Sequence, residues 1–171
     1  MDAGAMVELA EDWTNVPEAR DCVKNVVHRV RGNNQNYQIK PTHSAKNPFT
    51  VQFDFQPTDC HHSSRVDRME HVIAKISLQF SRRGALEIYL ISPSGTKSMI
   101  LGKRQHDSSP KGFNNFNFLT VHFWDEDPFG TWKLQIVNTG NPNNGNKGKT
   151  WKIFDFFFFK FCHRIFKQFE E

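Results

Sequence analysis

The sequence predicts an all-β fold, an antiparallel sandwich or barrel, and three observations carry that prediction. From residue 51 onward, short segments of alternating apolar and polar residues recur; Gly, Pro and Asn clusters separate them at hairpin spacing; and no long amphipathic helix lies between them. At 171 residues the chain has room for one domain and a core, since a chain of about 150 residues buries close to 70% of its unfolded surface.

Residues 1–13 read as a short amphipathic helix, with Ala5, Met6, Leu9 and Trp13 near helical spacing and Pro17 ending it. Residues 31–50 are polar and Asn-rich with Pro41 and Pro48, a loop. VQFDFQ places Val51, Phe53 and Phe55 on one face of a strand. Residues 71–80 put Val72, Ala74, Ile76, Leu78 and Phe80 together, and 85–92 put Leu86, Ile88 and Leu90 together. SRRG between them is expected to close a hairpin, with Gly84 supplying a positive φ. SPSG at 92–95 is a second turn, leading into KSMILG. Residues 115–124 and 130–138 are two further strands joined by DEDPF, and an Asn/Gly-rich stretch leads on to TWKIFDF.

The formal charge is +4, from 22 Lys+Arg against 18 Asp+Glu. The basic residues stand singly or in pairs, never in longer runs, so no nucleic-acid footprint is expected. No run of 18 apolar residues occurs, so no membrane span is expected, and MDAGAMVELAEDW lacks the basic and apolar regions of a signal peptide.

Catalytic constellations are not found in the sequence. There is no GxSxG, and Lys97 stands where a phosphate loop ending at Gly102-Lys103 would need its first glycine. His61 and His62 read as solvated turn residues, and His122 as a buried or half-buried structural histidine. Asp125, Glu126 and Asp127 form an acidic loop that reads as a solvated tip in preference to a calcium loop; Asp125 and Asp127 are the candidate ligands if a metal sits there. Cys22 and Cys60 allow two readings, a pair of free thiols or a disulfide closing a loop of about 39 residues and worth about 4 kcal/mol. Cys162 is left over.

Residues 70–136 resemble the P domain, or Homo B domain, of kexin/furin-like proprotein convertases. The resemblance rests on Met69 to Val72, Arg82-Arg83-Gly84, Ser92 to Thr96 (with Ser94 and Gly95), Ile100-Leu101 with Arg104 and Asp107, Gly112-Phe113, Phe118 to Thr120, His122, Trp124, and Gly130-x-Trp132-x-Leu134. DAGAMVELAEDWTNVP is similar to the last helix of that family's subtilisin-like catalytic domain. The resemblance covers residues 1 to about 153 and divides the chain into 1–16, the catalytic-domain helix; 17–153, the P domain; and 154–171, an atypical Phe-rich tail.

What the resemblance implies is an eight-stranded jelly-roll-like barrel or sandwich and a Cys22–Cys60 disulfide. It also implies a secretory-pathway parent, a calcium-dependent serine endopeptidase cutting after paired basic residues. The family's catalytic triad lies upstream of this domain, so the chain alone is expected to be inactive, with no cofactor of its own and the catalytic domain as its partner. A free-standing β-sandwich that binds a glycan or receptor, stacking it on Phe113, Phe116 and Phe129, is the alternative. Three departures stand out: Ala85 replaces an Asp after the RRG, Phe116 replaces a Trp, and Asp125 replaces a Gly.

The expected core is Leu86, Ile88, Leu90, Phe118, Trp124, Trp132, Leu134 and Trp151. Eight of the 17 Phe lie in residues 154–171 with no steady period, so the last strand is expected to start at Trp151 and fade by about Phe156.

Overall fold

Alternation along a strand decides which side is buried, and the burial follows the sequence closely. Val72, Ala74, Ile76 and Leu78 point inward, as do Leu86, Ile88 and Leu90, and Val51, Phe53 and Phe55. The computed structural model describes residues 2–13, 20–24, 38–39, 42–60, 68–140 and 151–163, the last of these as backbone. A helix, α1 (Ala3–Glu11), precedes nine strands: β1 (Arg20–Lys24), β2 (Gln38–Ile39), β3 (Phe49–Phe55), β4 (His71–Leu78), β5 (Leu86–Ile91), β6 (Lys97–Leu101), β7 (Phe113–Thr120), β8 (Gly130–Asn138) and β9 (Trp151–His163).

The strands form two antiparallel sheets, one ordered β1-β9-β4-β7 with β2 also on β9, the other β3-β8-β5-β6. The fold is therefore an all-β sandwich and not a closed barrel. In the four-stranded sheet the register aligns apolar rows across three strands. Leu134 is flanked by Val51 and Leu90, and Ile136 by Phe49 and Ile88. Such cross-strand rows are the unit of sheet stabilisation. Trp132, opposite Phe53, is fully buried; its Nε1–H donates to the Pro128 carbonyl at 2.8 Å, and Phe123 meets it edge-on at 5.1 Å.

Several expectations are corrected. SRRG does not close a hairpin: β4 and β5 belong to opposite sheets, so this link crosses from one layer to the other. The connection from β7 to β8 crosses in the same way. Period-two patterning shows which face is buried but not which sheet a strand joins, and both layers bury their faces in one core. Gly84 is not among the residues with positive φ. It is needed for close approach instead, because a Cβ there would collide with the Arg104 and Asp107 carbonyls. By contrast, β5 and β6 do form a hairpin, with the Ser92 N–H donating to the Thr96 carbonyl at 3.0 Å across the exposed Ser94-Gly95 tip.

Trp124 is not a core residue. β7 ends at Thr120, and a turn closed by Trp124 N–H to the Val121 carbonyl and Glu126 N–H to the Phe123 carbonyl breaks the alternation. Phe123 goes inward in its place, and Trp124 stays 54% exposed. Phe118, Trp132 and Leu134 are buried as expected; Trp151 opens β9 opposite Ile39, and its side chain lies outside the described residues.

The last strand does not fade at Phe156. β9 runs to His163, paired along one edge with β4 and along the other with β2 and then β1. Ladder bonds join main-chain groups and do not depend on side-chain identity. The register with β4 shifts twice, between Ala74 and Lys75 and between Ser77 and Leu78. Such irregularities accommodate a run whose sequence has no period of two. Residues 164–171 and His61-His62 fall outside the described residues.

Two outcomes follow. Trp132→Ala should lower unfolding free energy by about 3–5 kcal/mol in denaturant titrations, whereas Trp124→Ala should stay within about 0.5 kcal/mol in this chain. Deleting residues 157–171 removes every β9 partner of β1 and should lower the thermal midpoint; an unchanged midpoint would show that β9 contributes nothing beyond Phe156.

Candidate docking surface

Loop 102–109 folds back on the three-residue helical turn Arg83–Ala85 because Gly84 lets the two backbones touch. The Gly84 N–H donates to the Asp107 carbonyl at 3.1 Å, and the Arg104 N–H donates to the Gly84 carbonyl at 2.8 Å. This brings Arg83, Arg104 and Asp107 together. Asp107 Oδ2 accepts from Arg83 Nε at 2.7 Å and Arg104 Nε at 3.2 Å, with Arg104 Nη2 at 3.0 Å. Oδ1 accepts from the Ser109 N–H at 3.2 Å. Both guanidiniums also lie beside the Phe113 ring, their carbons 5.8 and 5.6 Å from its centroid. The Arg83 hydrogen bond holds the Asp107 carboxyl below its ordinary value, against a smaller opposing effect of desolvation. Ala85, which stands where the family pattern has an Asp, is buried. Arg83 has its carboxylate partner in Asp107.

Gly112, preceding β7, has φ +62° and faces the Leu78 carbonyl too closely for any Cβ. Phe113 and Phe118 are buried and in edge contact at 5.3 Å. Phe116 packs on both but is half exposed. Phe129 lies apart, stacked on Phe55, so Phe113, Phe116 and Phe129 do not form one exposed stacking platform.

At the turn after β7, Asp125 occupies φ +63°, the conformation that favours the Gly it replaces. Its N–H donates to the Met69 carbonyl at 2.7 Å, and its carbonyl accepts from Arg68 Nη1 at 2.9 Å. Its carboxylate lies 3.9 Å from Arg68 Nε. Asp127 Oδ1 accepts from the Phe129 N–H at 2.9 Å, just before Gly130 opens β8. The two candidate metal ligands thus have separate local partners, and no group of three His, Cys, Asp or Glu is placed to hold a metal among the described residues. His122 is exposed, not buried; its Nδ1 lies 2.9 Å from Ser98 Oγ, which is 2.8 Å from Thr120 Oγ1. Arg82 Nη2 donates to the Gln105 carbonyl at 2.8 Å. The Cys22–Cys60 disulfide is formed, with Cα atoms 4.9 Å apart.

What these elements leave uncovered is apolar. Asp2 caps α1, its Oδ1 accepting from the Gly4 and Ala5 N–H groups, yet no helix residue is buried. Met6, Val7, Leu9 and, just beyond the helix, Trp13 are each more than half exposed. Along the edge strand β7 and its turn, Phe116, Leu119, Val121 and Trp124 are exposed as well. Exposed apolar side chains of this kind are available to be covered by a neighbouring domain. The sequence showed the periodicity of α1 but not that its apolar side stays exposed.

Asp107 gives a pH signature. A carboxyl lowered in the folded state adds stability above its unfolded value, 3.8 for a free Asp, and loses it as pH falls through the folded value. Thermal melts of wild type and Asp107→Asn should therefore differ at neutral pH and converge below pH 3.8; a constant difference down to acid would show that the charge is not involved.

The sequence model of the Proprotein convertase P-domain family matches residues 69–154. Rat furin is 40% identical over 145 residues, covering 84% of this chain and 16% of furin. Rat proprotein convertase subtilisin/kexin type 5 is 36% identical over 157 residues, 90% of this chain and 8% of that protein. The chain thus spans less than a fifth of the length of these relatives. Among solved structures, the serine protease of Aeromonas sobria superposes with a TM-score of 0.65 at 18% identity, over 94% of this chain and 30% of that one, a likeness of fold. By the residues it shares and the sandwich they build, the chain belongs to the proprotein convertase P-domain family.

Proposed function

We propose that this chain is the non-catalytic P domain, with α1 ahead of it as the last helix of the catalytic domain, of a calcium-dependent, subtilisin/kexin-type serine endopeptidase that processes proproteins at paired basic residues in the secretory pathway. Its task is to pack against the catalytic domain and stabilise it. The observation that carries this reading is α1, a capped helix with Met6, Leu9 and Trp13 spaced along it and no residue buried within this chain. A helix with an apolar stripe is stable where that stripe is covered, and a catalytic domain preceding this segment supplies the cover. The calcium requirement belongs to that domain, as does the reaction.

The test compares two settings. In the isolated chain, Trp13→Ala should change stability by no more than about 0.5 kcal/mol. In a protein that joins the catalytic domain to this chain, the same change should cost about 3–5 kcal/mol, as for a buried aromatic. Equal, small effects in both would refute the cover of α1 by a catalytic domain. The isolated chain should not hydrolyse a dibasic fluorogenic peptide, with or without Ca²⁺; turnover that tracks the purified chain would contradict the non-catalytic reading.

A further inference from the structure

The chain carries two paired-basic sequences in its loops, Arg82-Arg83 before Gly84 and Lys103-Arg104 before Gln105. If the parent enzyme cuts after paired basic residues, as proposed above, each is a target within its own polypeptide. The inference rests on that reading. We propose that Asp107 masks both bonds, a clasp that protects the domain from endopeptidases specific for paired basic residues.

The masking has a side-chain and a main-chain part. Cleavage adds water across the peptide C–N bond, leaving a carboxylate on Arg83 or Arg104 and a free amine on Gly84 or Gln105. To reach that step, a protease must draw the arginine into an acidic pocket and hold the main chain extended so that it pairs with the enzyme. Here both arginines share one carboxylate oxygen, Oδ2 of Asp107, at 2.7 Å from Arg83 Nε and 3.2 Å from Arg104 Nε. The main chain is occupied too. The Arg83 N–H donates to the Ser109 carbonyl at 3.1 Å, the Gly84 N–H to Asp107, and the Arg104 N–H to Gly84. Arg82 is turned onto the Gln105 carbonyl, the first residue beyond the second bond. Gly84 lies against the Arg104 and Asp107 carbonyls with no space for even a Cβ, so no enzyme cleft can enter between them. Each paired-basic segment covers the other, and Asp107 joins them.

The experiment incubates the full 171-residue chain with purified furin and, separately, with trypsin, and follows fragments by mass spectrometry. Wild type should resist both at Arg83–Gly84 and Arg104–Gln105. Asp107→Asn should be cut at both bonds at least tenfold faster by either enzyme. In Arg104→Gln the carboxylate keeps Arg83, so the Arg83–Gly84 bond should stay at the wild-type rate. Rapid cleavage of wild type at these bonds overturns the proposal, as does cutting of Arg104→Gln at Arg83–Gly84 as fast as Asp107→Asn. If Asp107→Asn is also cut within strands at Lys75 and Lys133, it has lost its fold, and the wild-type and Arg104→Gln rates decide. If trypsin cuts Asp107→Asn selectively at both bonds and furin does not, masking stands and the paired-basic reading of these sites fails.

Discussion

The architecture depends on where its last strand goes. β9 does not add to an edge; it inserts between β4 and the pair β1 and β2. Without it the five-stranded layer has no centre, and β1 has no strand to pair with. Because β1 lies near the start of the chain and β9 near the end, closing this layer brings together segments separated by almost the whole sequence. Such non-local pairing is entropically costly and slow to form. The Cys22–Cys60 disulfide ties β1 to the segment following β3 and so shortens part of that search.

The loops at the two ends of the sandwich are organised by carboxylates in different ways. Asp107 joins Arg83, 24 residues earlier in the chain, to Arg104 and the Ser109 N–H of its own loop. Asp125 works mainly through its own backbone, in a left-handed conformation that Asp tolerates better than most side chains. Its N–H and carbonyl connect the turn after β7 to Met69 and Arg68 ahead of β4. Two departures from the family pattern, Ala85 and Asp125, are thereby accommodated without opening the fold. Ala85 is buried beside the Asp107 clasp, and Asp125 is held by local backbone chemistry.

The proposed function rests on what the sandwich does not bury. Its core is closed by Trp132, Phe123 and the aligned aliphatic rows, while α1 and the β7 edge keep their apolar side chains outward. A domain with a complete core and a surplus of exposed apolar surface is suited to being covered by a neighbour. That matches a module of a larger protein.

The sequence by itself determined the class of fold, the inward residues of β3, β4, β5 and β8, the SPSG hairpin and the family. These follow from local rules: period-two burial, turn chemistry, and blocks of motif in order. Only the tertiary structure decided that β4 and β5 part into opposite sheets, that β9 continues through the Phe run to His163, and that Phe123 displaces Trp124 from the core. It also brought Arg83, Arg104 and Asp107 onto one another. The reason is common to all four. A side-chain pattern shows which face of a segment is apolar, whereas strand partners, turn closure and ion pairing between loops depend on residues far away in the chain, whose positions are set only when both layers close on the same core.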